Sequence, residues 1–199
     1  MSRPVIDVSG LPPVAFGHRG VVWWGTIGVV AIEGTMFVLV MTAYLYLKGR
    51  VPHWPYGFLP PGLLWGTVNT VVLLASAIPN QLTKSAAERF DFRGARFWLT
   101  ICLVFGLAFN IIRIFEFRTL NVWFDSNGYG SIVWVLLGVH TTHILTDFVD
   151  SCILAAVLYK GPVKLSHMVD VSENALYWYF VVLAWLPIYA LIYWAPRLA

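Results

Sequence analysis

The chain has 199 residues, of which 59% are hydrophobic and 12% charged, and its mean hydropathy is +0.73. A soluble domain carries about a quarter charged residues, so this composition excludes an ordinary soluble enzyme and places the chain in a membrane. The formal charge of +3 fits anionic lipid at an inner membrane face and calls for no nucleic-acid partner.

The apolar runs are continuous rather than alternating, which predicts helices and not a barrel. The fold class expected is all-α, a polytopic bundle of five transmembrane helices in a single domain, 1–199, without internal repeats. Met1 to Gly20 holds Pro4, Pro12 and Pro13 and no apolar signal region, so the first span itself is expected to direct insertion. That span runs from Val21 to Leu47 and contains Glu33. Lys48, Gly49, Arg50 and the Pro-rich stretch Pro52 to Pro61 form a loop. Span two covers Leu63 to Leu82 and encloses Asn69 and Thr70, placed to bond across to another helix. Ser85 to Arg96 reads as a charged loop. Span three, Phe97 to Phe117, carries Arg113 and Glu116 at i and i+3, where they can pair. Thr119 to Gly130 is a polar loop with the turn signal Asn127-Gly128. Span four is Ile132 to Tyr159. Lys160 to Asn174 reads as the last loop, with Gly161-Pro162 as a helix stop. Span five, Ala175 to Trp194, holds Pro187, which predicts a kink.

With the N-terminus inside, the inner segments hold Arg3, Arg19, Lys84, Arg89, Arg93, Arg96, Lys160 and Lys164. The outer ones hold Lys48, Arg50, Arg118 and Arg197. The positive-inside rule therefore selects N-in and C-out. Trp23, Trp24, Trp178 and Trp194 fall near the expected span ends, as interface anchors do, and Tyr177-Trp178-Tyr179 would sit in the aromatic belt.

The stretch Gly138 to Asp150 concentrates the polar chemistry. His140, His143, Asp147 and Asp150 lie within one narrow sector of a helix at about 100° per residue. Such side chains must turn toward protein, water or one another. H-x-x-H supplies two ligands, which is not a metal site, and no Glu-x-x-His is present for a carboxylate-bridged centre. His18, His53 and His167 fall in loops or tails, and Cys102 and Cys152 are unpaired in spacing, so haem, zinc, copper and iron–sulfur centres are not expected. Glu33 has two readings: an interhelical hydrogen bond that fixes packing, or part of a proton or ion pathway. Glu33 lies one residue from the middle of span one, and His143 two to three from the middle of span four. In antiparallel spans they differ in height by only about 5 Å, so Glu33 is expected to meet His143, with His140 one turn away as second choice.

Five stretches in order resemble subunit III of the haem–copper terminal oxidases in the short five-helix bacterial form. Ala31-Ile-Glu-Gly-Thr-Met-Phe37 resembles the family's buried carboxylate followed by Met-Phe. Asn69-Thr-Val-Val-Leu-Leu-Ala-Ser76 resembles N-T-x-x-L-L-x-S. Phe115-Glu116-Phe117 resembles Glu-Tyr or Glu-Phe. Gly138-Val-His-Thr-Thr-His143 resembles G-x-H-x-x-H. Tyr177-Trp-Tyr-Phe-Val-Val-Leu-Ala-Trp185 resembles Y-W-H-F-V-D-V-V-W. Three positions depart from the pattern: Tyr179 stands for its histidine, Val182 for its aspartate and Asp147 for a glycine.

The resemblance implies a non-catalytic core subunit of a respiratory oxidase in the bacterial inner (plasma) membrane. It would hold no cofactor of its own, with haem and copper in the partner subunits I and II. It would bind phospholipid in a cleft and sustain stability and proton uptake. The candidate polar-seam or lipid-cleft residues are Glu33, Asn69, Glu116, His140, His143, Asp147 and Trp178. Open alternatives are an accessory subunit of a nitric oxide reductase, a small proton-coupled transporter, and a membrane metalloenzyme.

Overall fold

The computed structural model describes residues 14–198. Arg3, Pro4, Pro12 and Pro13, used above for topology and insertion, lie outside the described residues. The described chain is all-helical, with α1 Val21–Lys48, α2 Leu63–Glu88, α3 Phe92–Arg118, α4 Gly128–Lys160 and α5 Leu165–Tyr189. A π-helical turn, Ala190–Trp194, extends α5. Each of the five is long and apolar enough to cross a membrane.

Helices α2 to α5 form a four-helix core in which α2 packs on α3 and α5, and α4 on the same two. α1 leans against α4 and α5 from one side. It is apolar on nearly every face, and its buried residues are Phe37 and Tyr44 alone. A helix apolar all round needs lipid or a partner on the faces its own chain leaves bare.

The core divides by side-chain size. Toward the C-terminal end of α5, bulky residues interlock, among them Leu73, Phe109, Leu136, Trp185 and Tyr193. Toward its start, small residues let the helices approach: Ala86, Ala87, Ala95 and Ala155 pack with Leu99, Leu158 and Met168.

The helices outrun the expected spans, each for a local reason. The charged loop Ser85 to Arg96 is mostly helix. Ala86 and Ala87 carry α2 to Glu88 because they are good helix formers buried in the small-residue cluster. Asp91 then caps α3, its carboxylate accepting from the Gly94 N–H at 3.0 Å. Asn127 caps α4 in the same way, accepting from the Gly130 N–H at 2.9 Å, so the helix begins at Gly128 and not Ile132. The stretch Lys160 to Asn174 is not a loop beyond Lys164. Gly161 ends α4, but Met168, Val169 and Val171 bury a continuous face, and α5 starts at Leu165. Pro187 lies inside α5 and cannot donate backward; three residues on, the backbone loosens into the π turn, closed by the Ala195 N–H on the Ala190 carbonyl at 2.9 Å. Tyr44 of α1 donates to the Leu191 carbonyl of this turn at 2.6 Å and accepts from Trp54 Nε1 at 2.8 Å.

Candidate functional site: a buried polar seam

Two polar clusters and one cleft occupy the bundle. The first cluster is closed to solvent. Glu116 and Arg113 share one face of α3, with Arg113 Nη1 3.0 Å from Glu116 Oε2. Three elements converge on that carboxylate. Asn69 of α2 donates to Oε2 at 2.7 Å, and Tyr193, in the turn after α5, donates to Oε1 at 2.6 Å. Gly66 makes room for the Tyr193 ring, since a Cβ there would overlap it. Arg113 lies over the rings of Phe109 and Trp185, 4.6 and 4.3 Å from their centroids. Its Nη2 is 3.2 Å from His140 Nδ1, and His140 Nε2 is 3.1 Å from the Val181 carbonyl. A guanidinium only donates and a carbonyl only accepts, so His140 carries its proton on Nε2 and is neutral. Trp185 Nε1 donates to Thr70 Oγ1 at 2.8 Å, completing the ring of contacts.

The cluster is a compensated ion pair with one neutral imidazole. Two charges withdrawn from water gain enough from one another only when hydrogen bonds satisfy what remains. Here the carboxylate has two hydrogen-bond donors and the guanidinium beside it, and the guanidinium has the carboxylate, an imidazole and two aromatic faces, while Arg113 Nε and Nη1 and Asn69 Oδ1 find no hydrogen-bond partner among the described residues.

The second cluster lies between α1, α4 and α5. Glu33 Oε1 is 3.6 Å from His143 Nε2, and Tyr177 donates to Glu33 Oε2 at 2.7 Å. The expected contact of Glu33 with His143 is present, while His140 turns away to Arg113. His143 Nδ1 is 2.7 Å from the Val139 carbonyl, so this nitrogen bears a proton. Nε2 then faces Glu33 Oε1, so the Glu33 carboxyl meets the Tyr177 hydroxyl on one oxygen and the imidazole on the other. Phe37 closes the cluster on the side toward the end of α1, its ring centroid 4.9 Å from that of His143 and 6.0 Å from that of Phe180.

On the other side of Glu33 an open cleft of about 810 Å³ separates the first two turns of α1 from α4 and α5. Asp147, Asp150, Asp170 and Glu173 line it, with Asn174 and Tyr177. Asn174 Nδ2 donates to both Asp147 Oδ1 and Asp150 Oδ2, each at 3.3 Å. Asp147 also borders a small chamber of about 20 Å³ with Ser76, Asn80 and Ser151, room for a single water.

Of the residues singled out in the sequence, Asn69, Glu116 and His140 meet in the first cluster and Glu33 and His143 in the second. Asp147 belongs to the cleft. Trp178 is not an interface anchor: α5 begins thirteen residues before it, at Leu165, so the indole is buried in the core and donates Nε1 to Ser76 Oγ at 2.9 Å. Thr70 bonds across to another helix as expected, and sequence reasoning missed its partner Trp185 together with Tyr193 and Tyr177. The available signal was only that a buried Tyr or Trp must find a partner for its polar tip. Among the described residues no group of three or more His, Cys, Asp or Glu side chains is arranged to hold a metal ion.

An all-helical protein with five helices long and apolar enough to cross a membrane, packed around a polar interior, is the class these features define. The chain belongs to the cytochrome c oxidase subunit III family, whose profile matches residues 59–196. It is similar to cytochrome c oxidase subunit 3 of Thermostichus vulcanus, 27% identical over 169 residues, 83% of each chain. The subunit 3 of Synechocystis is 26% identical over 190 residues, 92% of this chain and 80% of that one. The probable subunit 3 of Mycobacterium tuberculosis is 28% identical over 176 residues, 85% of each. Glu33 and the whole of α1 lie before the stretch that the family profile matches.

Proposed function

We propose that this chain is the non-catalytic subunit III of a haem–copper terminal oxidase in a bacterial plasma membrane, with its N-terminus inside. It packs beside the catalytic subunit I, near subunit II, and the haem and copper of the complex reside in those partners. Its own contribution is structural and protonic: it stabilises the catalytic subunit and supports proton uptake. Phospholipid lies along the apolar wall that Val21, Val22 and Val29 of α1 present to the cleft.

The observation that carries this reading is the closed Arg113–Glu116–His140 cluster. Every ionisable group in it is used to hold α2, α3, α4 and α5 together, leaving none for substrate. The test is affinity purification of the tagged chain from solubilised membranes. Haem absorbance and oxygen consumption that co-purify with the chain support the assignment, and so does a haem-free, copper-free chain once it is separated from its partners. Stoichiometric haem, iron, copper or zinc on the separated chain would overturn it.

A further inference from the structure

Asp147 lies three residues past Ile144, the middle of α4, so it stands within about 5 Å of the centre of that spanning helix. The pattern that the chain otherwise resembles has glycine here, so nothing in that pattern calls for a carboxylate. An ionised group at this depth needs a counter-charge. Glu116 has Arg113 in that role. Asp147 has no such neighbour: among the described residues no Lys, Arg or His lines the chamber it borders. Asp150, joined to it through the Asn174 amide, carries charge of the same sign.

The hydrogens around the chamber are engaged elsewhere. Ser76 Oγ donates to the Leu73 carbonyl at 2.6 Å and accepts from Trp178 Nε1 at 2.9 Å. Asn80 Nδ2 donates to the Ala175 carbonyl at 2.9 Å, and Ser151 Oγ donates to Asn174 Oδ1 at 3.1 Å. Asn174 Nδ2 is divided between Asp147 Oδ1 and Asp150 Oδ2. What these bonds leave for the chamber is oxygen: the Asn80 amide oxygen, the Asp147 carboxylate, and the remaining lone pairs of Ser76 and Ser151. All four residues are more than nine-tenths buried. A water would donate to two of these oxygens and leave the carboxylate charge uncompensated. A hard cation takes oxygen ligands of just this kind, several at once.

We infer that the chamber between α2 and α4 binds one monovalent cation, sodium, on Asp147, Asn80, Ser76 and Ser151. A volume of about 20 Å³ admits a single occupant of the size of water. One positive charge neutralises one carboxylate, whereas a divalent ion would leave a net charge buried in the membrane. The ligands come from α2 and α4, which lie diagonally across the core, each packed on α3 and α5. The ion therefore ties together two helices that otherwise meet through their neighbours.

The test uses the whole complex with Cys152→Ala in this chain, so that Cys102, which lines the chamber, is its one remaining thiol. A thiol reagent reaches Cys102 as the bundle opens, and labelling is read on this chain after gel separation. With sodium at about ten times its dissociation constant, labelling should be slower by about tenfold than in choline chloride of equal concentration. Asp147→Asn keeps the shape, removes the charge and should abolish the difference between the two salts. Ser151→Ala, a milder change, should need about tenfold more sodium for the same protection. Radioactive sodium retained by the complex should exceed that of Asp147→Asn by one ion per chain. Equal labelling in the two salts, or a sodium effect that persists in Asp147→Asn, overturns the site. So does an infrared signal of a protonated carboxyl that is lost in Asp147→Asn and persists in saturating sodium, because a proton then takes the place of the ion. Where Asp147→Asn does not assemble, an unshifted sodium titration in Ser151→Ala overturns it instead.

Discussion

Arg113 and His140 meet with Nη2 3.2 Å from Nδ1, both side chains buried, and this contact joins an ion pair on α3 to the backbone of α5. The imidazole is a spacer with direction: it accepts from the guanidinium and donates to the Val181 carbonyl. Because the pair and its spacer are sealed, removing one charge strands the other in a medium that cannot solvate it.

The first prediction follows. Glu116→Leu should destabilise the subunit by about 3–5 kcal/mol, because it leaves Arg113 buried and uncompensated. Arg113→Met combined with Glu116→Leu should cost far less than the sum of the single changes. Thermal inactivation of the solubilised complex, read as a double-mutant cycle, measures the difference. Additive effects would mean the pair is not coupled.

Tyr193 and Gly66 give the second. Tyr193→Phe removes a hydrogen bond to a charged carboxylate and should cost about 1.5–3 kcal/mol. Gly66→Ala should cost about 1–3 kcal/mol by forcing the Tyr193 ring away from Glu116. In the Tyr193→Phe background the ring must still move, but no bond to Glu116 remains to be lost. The alanine should therefore cost less there, which a stability series on the four proteins would show.

A third prediction concerns Glu33. Glu33→Gln keeps an acceptor for Tyr177 and should fold and assemble normally. Glu33→Leu leaves the Tyr177 hydroxyl and His143 Nε2 without partners, weakening the packing of α1 by about 1–3 kcal/mol. Protease sensitivity of the loop 49–62 in membranes reports the loosening of α1. Equal sensitivity in both variants would show that the bond does not hold the helix.

The sequence made some of this arrangement legible because it follows from helix geometry alone. Arg113 and Glu116 pair because i and i+3 share a face. Glu33 reaches His143 because antiparallel spans of known midpoints set heights. Asn69 bonds across because a buried amide has to, although its partner, Glu116, is set by packing. Tyr193 was hidden for a different reason. Its apolar ring disguises it in an apolar run, and its reach to Glu116 depends on the π turn after Pro187 and on the space at Gly66. The helix ends at Glu88 and Leu165 were hidden because charge on the outer face reads as loop, while the buried alanines, Met168 and Val171 that sustain the helices are few. His140 shows the limit of facial arguments. It shares a sector with His143, yet one turn of helix carries it from the α1 side to the α3–α5 core.

Trp178 supplies the last prediction, because its two possible positions have opposite consequences. An interfacial tryptophan can become phenylalanine with little effect, generally within 0.5 kcal/mol. Trp178 instead lies in the core, with Nε1 on Ser76 Oγ, which itself donates to the Leu73 carbonyl at 2.6 Å. Trp178→Phe should cost about 1–3 kcal/mol, from lost ring volume and from enlarging the small chamber that Ser76, Asn80 and Asp147 share with it. Ser76→Ala should cost a similar amount by leaving the indole N–H buried and unpaired. Since Trp178→Phe already removes that donor, adding Ser76→Ala to it should cost almost nothing further. The four proteins are compared by thermal inactivation in one detergent. A negligible effect of Trp178→Phe, or full additivity of the two changes, would return Trp178 to the membrane interface and remove it from the polar seam.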